Sequence, residues 1–221
     1  MKKGIFPGKR ISFFRELASL KNHNEAVFTP PPRYYLLIKT LGDYFSASIL
    51  LIITFPFWLM IMAWIKLDSR GPVFFQQCRA GLKGIPFQMY KFRSMYREVS
   101  PDAPTPLTPH DPRITPIGRI IRRFGLDELP QLINILKGEM SLVGPRPEML
   151  FIVTRYNDLE KKRLLVKPGL TGLWQIMGRK DKFIHEDLML DLFYLKKRSL
   201  SWDLFILFET IPTILISRVI W

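Results

Sequence analysis

The sequence predicts an α+β chain that is mainly α: an N-terminal re-entrant membrane helix-break-helix, a small β-hairpin, and interfacial amphipathic helices around a cytosolic site. Three observations carry this. The run Tyr44 to Ile65 holds 22 residues without a charge. Basic residues dominate on both sides of it. After Thr115, apolar residues recur at helical spacing beside a stripe of arginines.

The bulk numbers frame the reading. A chain of 221 residues can bury one real core. A formal charge of +14 calls for a polyanionic partner: nucleic acid, an anionic membrane surface or phosphorylated substrates. Cys78 is the only cysteine, so no internal disulfide can form. His23, His110 and His185 are scattered without metal-ligand spacing, which argues against a zinc site. Two regions are expected: a basic extension over 1–32, whose bland reading is a disordered tail, and one membrane-associated domain over 33–221.

The apolar run "YFSASILLIITFPFWLMIMAWI" spans 44–65. As a helix it measures about 33 Å, close to a bilayer's hydrocarbon thickness. It starts too late and runs too long for a secretory signal, and it leads into Lys66-Leu67-Asp68. Residues 1–43 carry eight Lys and Arg against three acids, and residues 66–100 carry seven against two. The positive-inside rule therefore draws both ends to the cytoplasm. Pro56 sits near the middle, where a bend is expected, and Ser46, Ser48 and Thr54 are at hand for freed backbone groups. A segment that dips in and returns satisfies these facts. A true spanning helix is the alternative.

"PVFFQQCR" and "PFQMYKFRSM", joined by "AGLKGI", read as a β-hairpin. In the second run Lys91 and Arg93 share one face, with Tyr90 and Phe92 on the other; a solvated strand face is the competing account. Five prolines between 101 and 112 predict an irregular loop. Thr115-Pro116 then starts a helix, cap followed by proline. Ile117, Ile120, Ile121 and Phe124 give its apolar face and Arg119, Arg122 and Arg123 a basic stripe, which suits an interfacial helix as well as a core one.

Gly125 ends that helix and "LDELPQLINILKG" begins another, with Leu126, Leu129, Leu132, Ile133 and Leu136 inward and Gly138 as its stop. Pro130 is tolerated only in a first turn, so Asp127 and Glu128 are expected at the helix N-terminus. A capping pair is the ordinary reading. Arg122 and Arg123 before it and Arg146 in "GPRP" after it point further, to a divalent ion bridging acid and diphosphate or to a carboxylate that attacks phosphorus. At the end of the chain, Leu204 to Ile216 is apolar except for Glu209 and the threonines, contains Pro212 and lies between Trp202 and Trp221, with Arg218 near its end. That fits an interfacial segment or a core helix.

Taken in order, "PVFFQQCRAG", "YKFRSM", "DPRITPIGRIIRR", "LDELPQLINILKGEMSLVGPRP", "VKPGLTGLWQIMGR" and "DLFYLKKRSLSWDL" resemble the bacterial sugar transferase family over about residues 33–212. These are monotopic polyprenyl-phosphate sugar-1-phosphate transferases that begin surface-glycan assembly. Larger members carry further N-terminal membrane helices, and this chain resembles the minimal form. The resemblance implies a phosphotransferase that moves a sugar-1-phosphate from a UDP-sugar to undecaprenyl phosphate and releases UMP. It implies Asp127 as nucleophile, Glu128 as its partner, and Mg²⁺ on Asp127 and Glu128. Arg122, Glu139 and Arg146 match family active-site residues, and Lys91, Arg93 and Arg179 lie in matching basic motifs. The implied place is the inner membrane with the catalytic part facing the cytoplasm, with a homodimer left open. The family's break at a Ser-Pro pair is here Phe55-Pro56. Two other classes fit the sequence less well. A nucleic-acid module lacks any stacking or recognition-helix motif. A non-catalytic membrane scaffold would not need an acid pair among arginines.

Overall fold

The computed structural model describes residues 30–100, 103, 104, 106, 108, 110–177 and 188–216. Arg179, expected in a basic motif, lies outside these, as do His185, Arg218, Trp221 and residues 1–29.

Helix α1 runs from Arg33 to Asp68, 36 residues, starting where Pro32 ends an extended proline run. Its length is about 54 Å. It is a single helix through Pro56, where the sequence suggested two helices divided by a break. Thr54 Oγ1 donates to the Leu50 carbonyl at 2.6 Å and accepts from Trp58 Nε1 at 3.2 Å. The hydroxyl thus serves Leu50 rather than the Ile52 carbonyl, which Pro56 has no N–H to reach. Ala47, Leu51, Thr54, Trp58, Ile61 and Ile65 follow i, i+4, i+7, i+11, i+14 and i+18, one stripe facing the rest of the protein. Leu41, Phe45, Ile52, Phe55 and Leu59 stand on the opposite side, exposed.

Both ends of α1 are tied to the same globular part. Tyr35 Oη donates to Asp203 at 2.9 Å, Lys39 pairs with Asp203 at 3.1 Å, and Asp43 accepts from Leu142 N at 3.2 Å. At the far end Asp68 accepts from Ile117 N at 3.2 Å.

The hairpin forms as the sequence suggested. Strand β1, Phe74–Ala80, pairs antiparallel with β2, Pro86–Phe92, in a register from Phe74 opposite Phe92 to Ala80 opposite Pro86. Phe92 stacks on Phe74 (centroids 5.5 Å) and meets Trp58 edge-on at 5.2 Å, which fastens the hairpin to α1. An isolated bridge, Met95 to Ile114, closes the proline-rich loop and leads to α2, Pro116–Arg123. Thr115 Oγ1 accepts from Gly118 N at 2.9 Å, the expected cap. The apolar face of α2 divides: Ile121 is fully buried and Ile117 packs beside it, while Ile120 and Phe124 are exposed.

Gly125, at φ 67°, turns the chain into a 3₁₀ turn, Leu126–Glu128, and helix α3 follows at Gln131–Leu136. The acid pair therefore precedes α3 instead of occupying its first turn. Pro130 explains the correction: it caps α3 from outside, and the residues before it close with the tighter i→i+3 bonds. Beyond Gly138 (φ 77°), β3 (Ser141–Val143) pairs in parallel with β4 (Gly169–Thr171). The sequence had not suggested this pair. Between them lie α4, Leu150–Val153, and α5, Asp158–Lys161, the latter opened by an Asn157/Glu160 capping box. Among the described residues three helices follow: α6 (Leu173–Met177), α7 (Met189–Lys197) and α8 (Leu200–Ile216).

Helix α8 turns Asp203, Ile206 and Thr213 inward and leaves Leu204, Phe208, Ile211 and Leu215 outside. It is thus a core helix on one side and an apolar surface on the other. Trp202, expected at an interface, packs edge-on between Phe193 and Phe205. The main core gathers Ala47, Met89, Leu132, Ile135, Leu142, Leu173, Phe193 and Ile206 from α1, β2, α3, β3 and α6–α8.

Candidate active site

The 3₁₀ turn sets two neighbouring carboxylates side by side and gives them different surroundings. Glu128 Oε1 accepts from Lys91 Nζ at 2.8 Å and from Arg146 Nη2 at 2.7 Å. Its Oε2 accepts from Arg146 Nη1 at 3.4 Å. Asp127 is 5% exposed and makes no hydrogen bond or ion pair to the described residues. Burial pushes the Asp127 carboxyl up; Lys91, Arg122 and Arg146 oppose that and the Glu128 charge adds to it. For Glu128 burial also acts upward, but Arg146 and Lys91 outweigh it and hold the carboxyl well below its usual range. One acid is saturated and firmly ionised. The other is held by charge alone, with its oxygens uncommitted.

Each cation is placed by a separate element. Lys91 projects from β2 opposite Phe75, and burial lowers its ammonium pKa against the pull of Glu128. Arg146 sits in the loop Gly144-Pro145-Arg146-Pro147, which is fastened on all sides. Gly144 N donates to Thr171 O at 3.0 Å and Gly169 N to Pro145 O at 2.8 Å. Arg163 Nη2 donates to the Arg146 carbonyl at 2.7 Å, and Arg79 Nη1 to that of Pro147 at 3.3 Å. The short β3–β4 pair thus exists to hold this loop. Gly169 has no room for a side chain, because a methyl there would collide with the Gly144 backbone. Arg163 is itself fixed by Asp191 at 2.7 Å and Tyr156 Oη at 2.6 Å.

The remaining expected residues divide. Arg122 lies near enough to act on the Asp127 carboxyl and donates to Ser94 Oγ at 3.3 Å. Arg93 does not join the pair. Its guanidinium donates to the carbonyls of Ile65 (3.2 Å), Ser69 (2.6 Å) and Arg70 (2.6 Å) and so caps the end of α1. Glu139 accepts from Asn134 Nδ2 at 2.7 Å, and Asn134 in turn clips α3 to β2 through Tyr90 N at 3.0 Å and Gln88 O at 2.7 Å. Among the described residues no three His, Cys, Asp or Glu side chains converge. Of the pair expected to hold Mg²⁺, Asp127 has oxygens uncommitted among the described residues, while Glu128 would have to release a contact with Lys91 or Arg146 to join it.

A cation-ringed acid pair beside a rigid arginine loop is a site for phosphoryl chemistry, and the comparisons decide its kin. The description "bacterial sugar transferase" matches residues 34–217. The chain belongs to this family. As a sugar transferase it is a phosphotransferase. It is 40% identical over 197 residues to the exopolysaccharide production protein ExoY of Rhizobium meliloti, covering 82% of this chain and 87% of the relative. It is 42% identical over 183 residues to the uncharacterized sugar transferase EpsL of Bacillus subtilis, covering 83% and 90%. A longer relative, the UDP-glucose:undecaprenyl-phosphate glucose-1-phosphate transferase of Escherichia coli, is 38% identical over 191 residues, 83% of this chain and 41% of its own length.

Two residues of the sugar transferase site carried no sequence signal. Arg163 lies among adjacent lysines and leucines in "KKRLLVK", where nothing marks a buried arginine. Gln131 reads as an ordinary helix residue after Pro130, although it is 2% exposed and lines the site.

Proposed function

We propose that this sugar transferase moves a sugar-1-phosphate from a UDP-sugar to undecaprenyl phosphate, releasing UMP, through a covalent phosphosugar on Asp127. One observation carries the reading: among the described residues Asp127 alone of the pair has no hydrogen-bonding partner, while Glu128 absorbs Lys91 and Arg146. An Asp127 oxygen attacks the phosphorus attached to the sugar, and the bond from that phosphorus to the UMP oxygen breaks, its electron pair leaving with UMP. An oxygen of the lipid phosphate then attacks the same phosphorus, and the bond to Asp127 breaks to regenerate the carboxylate. The donor diphosphate and the lipid phosphate thus never have to occupy the site together. Lys91, Arg122 and Arg146 supply fixed positive charge where the phosphoryl oxygens gain negative charge. Mg²⁺ held by Asp127 and Glu128 together with the donor diphosphate would add to that neutralisation when bound. The names of the relatives, which include undecaprenyl-phosphate glucose and galactose phosphotransferases, support the substrate class.

The membrane arrangement follows from α1. A spanning helix would place its ends on opposite sides of about 30 Å of hydrocarbon. Here Asp43 and Asp68, near the two ends, both bond to the same globular part, while Ile52, Phe55 and Leu59 face away. These ties support a monotopic embedding from the cytoplasmic face of the inner membrane, with the unbroken α1 lying along the globular part. The outer residues of α1 and the Phe208 side of α8 would lie in lipid, and the site at headgroup depth. The activity assay is UMP release from UDP-sugars supplied with undecaprenyl phosphate and Mg²⁺. Release that needs neither the lipid phosphate for turnover nor Asp127 would contradict the reading.

A further inference from the structure

The cleft beside the acid pair is lined by Arg79, Met89, Lys91, Gln131, Arg146 and Pro147. Of these, Lys91 and Arg146 are engaged by Glu128, and Arg79 is tied to Gln77 at 2.6 Å and to Glu148 at 3.4 Å. Gln131 differs from all of them. Its side chain is buried, the residue being 2% exposed, and its Nε2 has no hydrogen-bond partner among the described residues. A buried amide N–H₂ without an acceptor is costly, and proteins seldom keep one unless something else supplies the acceptor.

Position indicates what that acceptor is. Gln131 follows Asp127 by four residues and Glu128 by three, so it stands about one turn beyond the nucleophile, within roughly 6 Å between Cβ atoms were the segment regular helix. The two cations that hold Glu128, Lys91 and Arg146, line the same cleft as Gln131. Lys91 and Arg146 there are engaged by Glu128, and Gln131 holds a donor that no described residue accepts.

The geometry points to Gln131 as a further catalytic residue whose amide donates a hydrogen bond to a non-bridging oxygen of the phosphoryl group carried by Asp127. This rests on the covalent reading above. The donor would serve in both half-reactions, because the same phosphoryl passes through each. A role in reading the sugar or the nucleotide would instead touch donor binding alone.

The amide's lack of a partner in the free protein sets an unusual test. Gln131→Met keeps the volume and removes the donor. It is expected to leave the thermal midpoint unchanged or raised, while slowing adduct formation and transfer to the lipid phosphate alike, by about 10²-fold, with KM for the UDP-sugar within about threefold. Gln131→Glu keeps the shape and replaces the donor with an acceptor, and should be slower than the methionine variant. Gln131→Met turnover within about threefold of the parent would overturn the assignment. So would a fall in thermal midpoint that tracks the loss of activity, a slowing confined to adduct formation, or a glutamate variant faster than the methionine one. Asp127→Asn run alongside separates the two claims: an adduct in that variant sinks the covalent reading, whereas an inert Asp127→Asn with a fully active Gln131→Met sinks only this one.

Discussion

Asp127 and Asp203 are buried to nearly the same degree, 5% and 6% exposed, and both have cations nearby. Their oxygens are treated differently. Asp203 Oδ2 accepts from Tyr35 Oη at 2.9 Å and pairs with Lys39 at 3.1 Å, and its Oδ1 accepts from Tyr194 Oη at 2.7 Å. Asp127 has charges around it and no bond. The first cluster joins the start of α1 to α7 and α8, and every acceptor in it is used. In the second the neighbour Glu128 takes the bonds and leaves Asp127 open. Burial with complete satisfaction fixes a joint, and burial with a carboxylate left over prepares a reaction.

If that contrast is right, equivalent substitutions at the two sites should act in opposite ways. Asp127→Asn removes the nucleophile without changing shape, so turnover should fall by at least about 10³-fold in the UMP assay. The same change should stabilise the protein at neutral pH. The sign follows from the raised carboxyl pKa: the folded state holds the proton more tightly than the unfolded one, so ionisation costs stability. That cost is full above the folded pKa and vanishes below the unfolded value. The gain in Asp127→Asn should therefore shrink as pH falls through that interval in thermal melts.

Arg146→Ala should lose about 10²- to 10³-fold in turnover, the usual scale for one phosphoryl-directed donor. It also unpairs the buried Glu128. A change under about threefold would make Arg146 a loop-packing residue. Asp203→Ala should cost about 3 kcal/mol of stability, since Lys39 and two tyrosines lose their acceptor, while activity per folded molecule changes little. Denaturant titration beside the UMP assay separates these outcomes, and a stable Asp203→Ala with impaired chemistry would remove the contrast.

The pH profile sharpens the comparison further. Attack needs Asp127 ionised, and its carboxyl is held above the ordinary aspartate range, whereas Glu128 is held below it. The rate of adduct formation should decline as pH falls, with a midpoint above that of an ordinary aspartate, while Glu128 stays ionised. A midpoint at or below the unperturbed aspartate value would mean that the cations, not burial, dominate at Asp127. The smallest effect is expected at the surface. Phe208→Asp on the outer side of α8 should weaken sedimentation with membranes by a few-fold and leave the thermal midpoint nearly unchanged, as Phe208 is 70% exposed.

What could be read in the sequence follows the range of the interactions. The apolar run of α1, the hairpin and the Thr115 cap depend on neighbours within a few residues, and each was visible. The Asp127-Glu128 pair was visible as an oddity of charge. Its setting in a 3₁₀ turn was not, because Pro130 permits either a first helical turn or a cap from outside. The β3–β4 pair was hidden because three-residue strands show no alternation. Arg93 was misleading for a different reason: basic motifs look alike whether the guanidinium meets phosphate or the carbonyls at a helix end. Gln131 and Arg163 gave no signal, since their importance lies in what surrounds them after folding.

The contrast between the two aspartates stands or falls on whether Asp127 becomes covalently occupied. The direct measurement is the intact mass of the protein after brief incubation with a UDP-sugar and Mg²⁺ and without undecaprenyl phosphate, followed by peptide mapping. The account predicts a mass increase of one sugar-phosphate, located on the peptide containing Asp127, absent in Asp127→Asn, and discharged when the lipid phosphate is added. An unmodified protein that nonetheless turns over with both substrates, or an adduct that maps to another residue, would contradict it.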